Sequence, residues 1–120
     1  MRQKPVRIVY PLTFVFKREG RLWSALACEI DVASCGKNLA EAREGIKEAV
    51  ELHLSYMLEH GLRDKIANPV PAEALREFME LGDAPPTIES HTLLVTLTSE
   101  IQMEFVPTAL APCQLIAAAR

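Results

Sequence analysis

The chain has 120 residues, of which 49% are hydrophobic, and its formal net charge is −3. This length supports one domain with a hydrophobic core, and the apolar content excludes an intrinsically disordered chain. The small negative charge argues against general binding to nucleic acids or other polyanions.

Alternating apolar and polar side chains predict a three-stranded antiparallel meander in the first third of the chain. Leu12, Phe14 and Phe16 share one face of the first strand, as the period of two in a β-strand requires. Gly20 lies in the short loop between the first two strands, where a positive φ is useful. The three strands are predicted near residues 8–17, 21–29 and 32–35.

A long amphipathic helix is predicted next, near residues 38–60. Asn38 is a good N-cap residue, and Glu41 three positions later completes a pair that resembles a capping box. Gly61 is the expected residue just after the helix. We expect this helix to pack on one face of the meander through residues at helical spacing, namely Leu39, Ala42, Ile46, Ala49, Val50, His53 and Met57.

The second half of the chain predicts an accessory helix over 71–81, which begins at Pro71, and a C-terminal strand over 91–106. Within that strand, residues 102–106 either continue the first part or fold back on it. The resulting fold class is α+β, with a three- to four-stranded antiparallel sheet, one main helix on one face and a short second helix. We expect a single domain over 1–120 with its core at 7–61.

The side chains that could carry chemistry are few. Glu29 and Asp31 at the end of a strand are one pair of carboxylates that could share a site, but such pairs are common in inert loops. Cys35 near a helix start could be a reactive thiol, although no base lies near it in the sequence. The three histidines are too widely spaced for one metal ion. The sequence therefore predicts no enzyme and no catalytic, cofactor or metal site.

The cysteines and the hydropathy pattern bear on where the protein resides. Three cysteines, Cys28, Cys35 and Cys113, are an odd and sparse set that does not predict a disulfide framework. Neither a signal peptide nor an apolar run long enough for a membrane helix is apparent. We therefore expect a cytoplasmic protein without membrane contact.

An interaction surface is predicted on the strand near 91–98, which is apolar on both faces. Strands of this kind are usually buried on both faces, and a small domain with few helices has trouble covering both. We expect the strand to pack partly against a second copy through a two-fold axis, although burial inside one chain is the simpler alternative. The residues expected at this oligomer or partner interface are Leu93, Leu94, Val95 and Leu97.

Nucleic-acid binding is predicted to be weak for DNA and is left open for RNA. Residues 91–119 contain no Lys or Arg, so a C-terminal module that contacts DNA phosphates is not expected. A basic cluster near the N-terminus is the one feature that would suit an RNA-binding module. Its members are Arg2, Lys4, Arg7, Lys17, Arg18 and Arg21.

The segments WSALACEIDVASCGKNLAEA at 23–42 and IKEAVEL at 46–52 resemble the HicB antitoxin-like family. The resemblance extends over roughly residues 10–61. Asn38 stands where Thr or Asp is commoner in that family, and a usual proline is replaced at Val32-Ala33. The residues after Gly61 lie outside the resemblance.

The resemblance implies a β-β-β-α-β unit, likened to a partial RNase H-like fold, that binds and occludes a small HicA-like ribonuclease toxin. Because no DNA-binding module is evident, the chain resembles a solitary member of the family. A degenerate RNase H-like nuclease is the enzymatic alternative, in which Glu29, Asp31 and an acid of the first helix would hold Mg²⁺.

Overall fold

A computed structural model describes residues 4–106 of the chain. The fold class is α+β, as the sequence predicts. Arg2 of the basic cluster and Cys113 lie outside the described residues. The elements in chain order are β1 (Val6–Glu19), β2 (Leu22–Ala27), β3 (Val32–Gly36), α1 (Leu39–Glu59), a 3₁₀ turn (Arg63–Lys65), α2 (Ala72–Glu80), β4 (Thr87–Leu97) and β5 (Ile101–Val106).

The strands form a five-stranded sheet in the order β3-β2-β1-β4-β5. The β1–β2, β2–β3 and β4–β5 pairs are antiparallel. The predicted strand count of three to four is therefore wrong by at least one, because the segment after Leu97 folds back and forms β5 as a separate strand. The described residues divide into two compact units, residues 13–89 and residues 4–12 with 90–106, and β1 runs through both.

In the unit of residues 13–89, β1 and β2 form a hairpin around Gly20, which has a φ of 61°. The register places Phe14 opposite Ala27 and Phe16 opposite Ala25. Small alanines opposite large phenylalanines leave room for a helix above this face. All four of these side chains are fully buried.

Helix α1 begins and ends as predicted. The Asn38 side-chain oxygen accepts a hydrogen bond from the Glu41 backbone N–H at 2.8 Å, and Gly61 follows the helix with a φ of 68°. The helix contacts β2 and β3. Its fully buried stripe consists of Ala42, Ile46, Val50 and Leu54, of which Leu54 is absent from the predicted set.

The other face of β1 is also covered, and the accessory helix contributes to this. Lys17 is only 7% exposed; its ammonium lies 2.7 Å from Glu19 and 4.2 Å from the centre of the Phe78 ring of α2. After α2, the Asp83 backbone N–H donates to the Arg18 carbonyl at 2.8 Å. Because the electron-rich face of an aromatic ring attracts a cation, the Phe78 ring and the Glu19 carboxylate together stabilise the buried ammonium.

In the other unit, β4 and β5 form a hairpin. Leu97 pairs with Ile101, and the Thr98 backbone N–H donates to the Glu100 carbonyl at 3.0 Å in the loop. Of the two alternatives for residues 102–106, folding back is therefore the one that the structure adopts. Toward the other end of the hairpin, the His91 and Phe105 rings meet edge to face with centroids 6.3 Å apart.

Candidate interaction surfaces

The four residues predicted at an interface divide into two groups. Leu93 and Val95 are fully buried within the chain, whereas Leu94 and Leu97 are half-buried. Their strand β4 lies between β1 and β5, so neither of its edges is open to another chain. An interface here can use Leu94 and Leu97 but has no access to the other two side chains in this conformation.

Strand β5 takes the position at the end of the sheet. Its register against β4 places Ile101, Met103 and Phe105 on one face, while Gln102 and Glu104 lie on the other. The three apolar side chains are half-buried and the two polar ones are exposed. Edge strands are commonly protected from other chains by lysine, proline or a bulge. Residues 101–106 contain no lysine or proline, so this edge lacks two of those protections.

The opposite end of the sheet is β3, and α1 lies very close to it. A Cβ atom added at Gly45 of α1 would lie 2.8 Å from the Ser34 hydroxyl oxygen and 3.2 Å from the Cys35 carbonyl oxygen. The absence of a side chain at Gly45 therefore allows this close approach. A shallow groove runs beside the contact and is lined by Ser34, Cys35, Glu41, Glu44, Gly45, Glu48, Ala49 and Leu52.

An exposed leucine lies at one end of this α1–β3 groove. Leu52 of α1 is 73% exposed, the highest exposure among the large apolar side chains that are exposed in residues 4–106. Gly45, Ala49 and Leu52 follow one another at intervals of four and three residues along α1. That spacing is visible in the sequence and could have indicated a second apolar stripe, but the carboxylates around it favour an interpretation as a solvated face.

The rim of the groove is acidic. Helix α1 contains five glutamates but only two basic residues, Arg43 and Lys47. Arg43 donates two hydrogen bonds to the Glu89 carboxylate, at 2.9 and 2.5 Å, and this raises the pKa of the guanidinium. The residues that line the groove include three glutamates, Glu41, Glu44 and Glu48, and no basic residue, although the Lys47 ammonium lies 3.8 Å from Glu44.

The candidate carboxylate pair does not converge on one site. The Glu29 carboxylate accepts hydrogen bonds from the Thr13 backbone N–H at 2.7 Å and from the Thr13 hydroxyl at 2.8 Å. Asp31 is exposed in the following turn, where its φ is 52°. Glu29 therefore ties β1 to the turn that follows β2. Within residues 4–106, no group of three His, Cys, Asp or Glu side chains could hold a metal ion.

The basic cluster contains side chains of two different kinds. Lys17 is buried against Phe78, and is therefore removed from any surface that could contact phosphates. Lys4, Arg18 and Arg21 are exposed. Because Lys17 lies in the protein interior, the remaining basic side chains support RNA binding less strongly than the sequence alone suggests.

The two described cysteines have different surroundings, and we expect different reactivity. Burial raises the pKa of the Cys28 thiol, and the charge of Glu29 adds to the rise, whereas Cys35 is exposed on β3. Below that raised pKa, Cys28 carries less of the reactive thiolate than an ordinary thiol. In a Cys113→Ser variant at pH 8, a disulfide reagent should therefore modify Cys35 roughly tenfold faster than Cys28 or more.

Single Cys28→Ala and Cys35→Ala variants in the same background assign the two rates in stopped-flow absorbance. Equal rates for the two thiols would contradict the structural difference between them.

Comparisons with protein-family models, with curated proteins and with solved structures find no match to this chain. Within the described part of the chain, no helix has both the length and the apolar character needed to cross a bilayer.

Proposed function

We propose that the chain is a non-catalytic, HicB-like antitoxin-type domain that binds and occludes a small HicA-like ribonuclease toxin. The observation that carries this proposal is the groove between α1 and the edge strand β3, with its acidic rim and its exposed Leu52. The resemblance implied a β-β-β-α-β unit, and the order β1, β2, β3, α1 and later β4 supports it. The strand order β3-β2-β1-β4 also supports a partial RNase H-like arrangement as part of the proposal.

Charge explains why a ribonuclease would suit this groove. A protein that binds RNA needs basic side chains, because phosphate contacts supply much of its affinity. The glutamates of α1 present the opposite charge and can occupy those basic side chains in place of RNA. Complementary charge also speeds the encounter of the two proteins. Binding would thereby block the toxin's RNA surface without any reaction at the antitoxin.

The β3 edge offers a second kind of contact. An edge strand has backbone N–H and C=O groups on its outer side that another chain can pair with. Leu52 adds an apolar anchor beside the strand, and buried apolar anchors commonly carry most of the energy of an interface. The proposed interface therefore combines backbone pairing at β3, one leucine anchor and an acidic rim on α1.

The proposal includes self-association, and it places the protein in the cytoplasm, where such a toxin would meet its RNA. A homo-oligomer is compatible with toxin binding because the sheet has two ends. One end, β3, lies beside the acidic helix, and the other end, β5, carries a single acidic side chain, Glu104. Specific DNA binding is not part of the proposal.

Leu52→Lys is expected to weaken binding of a small basic protein encoded by the neighbouring reading frame by about tenfold or more. The substitution removes the apolar anchor and adds a charge that repels a basic partner. Isothermal titration calorimetry with the purified pair measures the change. The matched control is Leu81→Lys, because Leu81 is 59% exposed and lies outside the groove.

Two results would overturn the proposal. One is the absence of binding between the chain and the neighbouring basic protein. The other is binding that Leu52→Lys and Leu81→Lys weaken equally, since the groove would then have no special part in it.

A further inference from the structure

The side of α1 that faces away from its buried stripe has the surface pattern that receives another helix. When two helices pack side by side, each projecting side chain of one enters a hole between four residues of the other. On an α-helix the four residues around such a hole lie at positions i, i+3, i+4 and i+7. We infer that a helix of the basic protein partner lies along α1 and places its side chains in three such holes. The inference rests on the proposed function and names the element of the partner that binds.

The residues that line the surface grooves on α1 have this spacing. The α1–β3 groove contains two overlapping sets, namely Glu41, Glu44, Gly45 and Glu48, and then Gly45, Glu48, Ala49 and Leu52. A second groove continues along the helix, and the described residues that line it are Glu48, Glu51, Leu52 and Ser55. The three sets share members, so the holes follow one another along about 21 Å of α1.

Small and apolar side chains make this surface suitable for close packing. Gly45, Ala49 and Ser55 are half-buried, whereas Leu52 is 73% exposed and Tyr56, one turn further along, is 57% exposed. The distance between two packed helices depends on the side chains at their contact, and small ones allow a close approach. A partner helix would also remove the exposed apolar area of Leu52 and Tyr56 from water, which favours binding.

A strand that pairs with β3 would not reach the second groove unless it extended well past β3. Gly36 lies against Ala42 and Ser34 lies against Gly45, so β3 and α1 run in opposite directions. The first residue of β3 is only two positions before Ser34, about 7 Å away. The second groove ends ten residues after Gly45, about 15 Å along α1. An element that covers both grooves therefore follows α1 and continues past the start of β3.

The charge of the two grooves selects the kind of helix. Their lining residues include four glutamates and no lysine or arginine. A second copy of α1 would bring the same carboxylates face to face, and the phosphates of a nucleic acid or a membrane would be repelled as well. Basic side chains on the flanks of an apolar partner helix would instead meet these carboxylates, as the flanking charges of coiled coils do. The partner helix is therefore amphipathic and basic.

Ser55→Lys tests the hole that lies farthest from β3. The longer side chain fills the hole and its charge repels a basic helix, so the Kd for the purified basic protein of the neighbouring reading frame should rise about tenfold or more. Lysine favours a helix at least as well as serine does, so α1 should stay folded. The matched control is Ala74→Lys, which adds the same charge at an exposed position of α2 outside both grooves. Isothermal titration calorimetry measures both constants, and circular dichroism confirms that both variants are folded.

Spin labels on α1 identify the element of the partner directly. In a background of Cys28→Ala, Cys35→Ala and Cys113→Ala, the substitutions Glu44→Cys and Glu59→Cys place single labels fifteen residues apart, about 22 Å along the helix. Each label broadens the NMR signals of the partner residues that lie near it. We expect the two labels to broaden opposite ends of one helical segment of the basic protein. Broadening confined to a strand or a loop, or to two unconnected segments, would overturn the inference.

The outcomes separate this inference from the proposed function. If the basic protein binds and Leu52→Lys weakens binding while Ser55→Lys does not, the groove beside β3 is the interface but the helix assignment is wrong. If the basic protein does not bind at all, the proposed function fails and this inference fails with it. Weaker binding by both variants, together with both labels on one partner helix, would support the two proposals.

Discussion

Replacing Ile46 with aspartate is expected to unfold the protein or to lower its free energy of unfolding by about 4 kcal/mol or more. Ile46 is fully buried in the middle of α1, on the stripe that contacts the sheet. The substitution removes a large apolar side chain and leaves a carboxylate without a partner in its place. A protein of this size has a total stability of only about 5–15 kcal/mol, so the loss is a large share of it.

The measurement is urea denaturation followed by circular dichroism. The matched control is Leu52→Asp, since Leu52 lies on the same helix but is 73% exposed, and its replacement should cost no more than about 1 kcal/mol. If Ile46→Asp and Leu52→Asp had the same midpoint, the assignment of the buried face of α1 would be wrong.

Local features made most of the unit of residues 13–89 predictable. The alternation in β1 and the Asn38 cap of α1 depend on residues close together in the sequence, and the structure places both as expected. The Gly20 turn is also local, because a short hairpin loop needs a positive φ. Helices, strands and turns that depend on residues close together in the chain can be predicted from one sequence.

The covering of the second face of β1 was harder to predict. Lys17 alternates with apolar residues in a way that suggests an exposed side, yet it is buried beneath Phe78. The contact depends on α2, which lies some sixty residues later in the chain. The sequence shows the charge of Lys17, but the aromatic ring that stabilises its buried ammonium belongs to a helix distant in the chain.

The ends of the sheet were the least predictable part, and they are also where the candidate surfaces lie. The loop at residues 98–100 contains no glycine, proline or asparagine, so nothing in it indicates that the chain folds back. Without that fold-back, β4 would be the terminal strand, and Leu93 and Val95 would be available to a partner. Because β5 pairs with β4, the last strand at this end of the sheet is β5, which contains Met103. Which strand lies at an edge depends on pairings distant in sequence, so alternation alone cannot identify it.

Gly36→Ala is expected to destabilise the protein by about 3 kcal/mol, far more than most exchanges of glycine for alanine. Gly36 is the last residue of β3 and lies directly below the start of α1. A Cβ atom there would lie 2.7 Å from the Glu41 carbonyl carbon and 2.9 Å from the Ala42 Cα, and would also overlap the Ala42 backbone nitrogen. All of these are backbone atoms, so relief requires that the first turn of α1 move away from β3.

Gly45→Ala provides the contrast, because the nearest atom there belongs to a side chain. The new methyl would meet the Ser34 hydroxyl oxygen at 2.8 Å, while the next atom, the Cys35 carbonyl oxygen, lies at 3.2 Å. Alanine also favours a helix over glycine by about 1 kcal/mol, which offsets part of the clash. The net cost of Gly45→Ala should therefore be smaller than that of Gly36→Ala.

A double-mutant cycle with Ser34→Ala separates the two cases. Removing the hydroxyl should recover about 1 kcal/mol for Gly45→Ala and bring the double variant close to Ser34→Ala alone. The same change should recover nothing for Gly36→Ala, because no Ser34 atom lies among the three nearest to that position. Chemical denaturation of the three single and two double variants gives the coupling energies. Zero coupling between Gly45→Ala and Ser34→Ala would show that α1 does not approach β3 as closely as the groove between them requires.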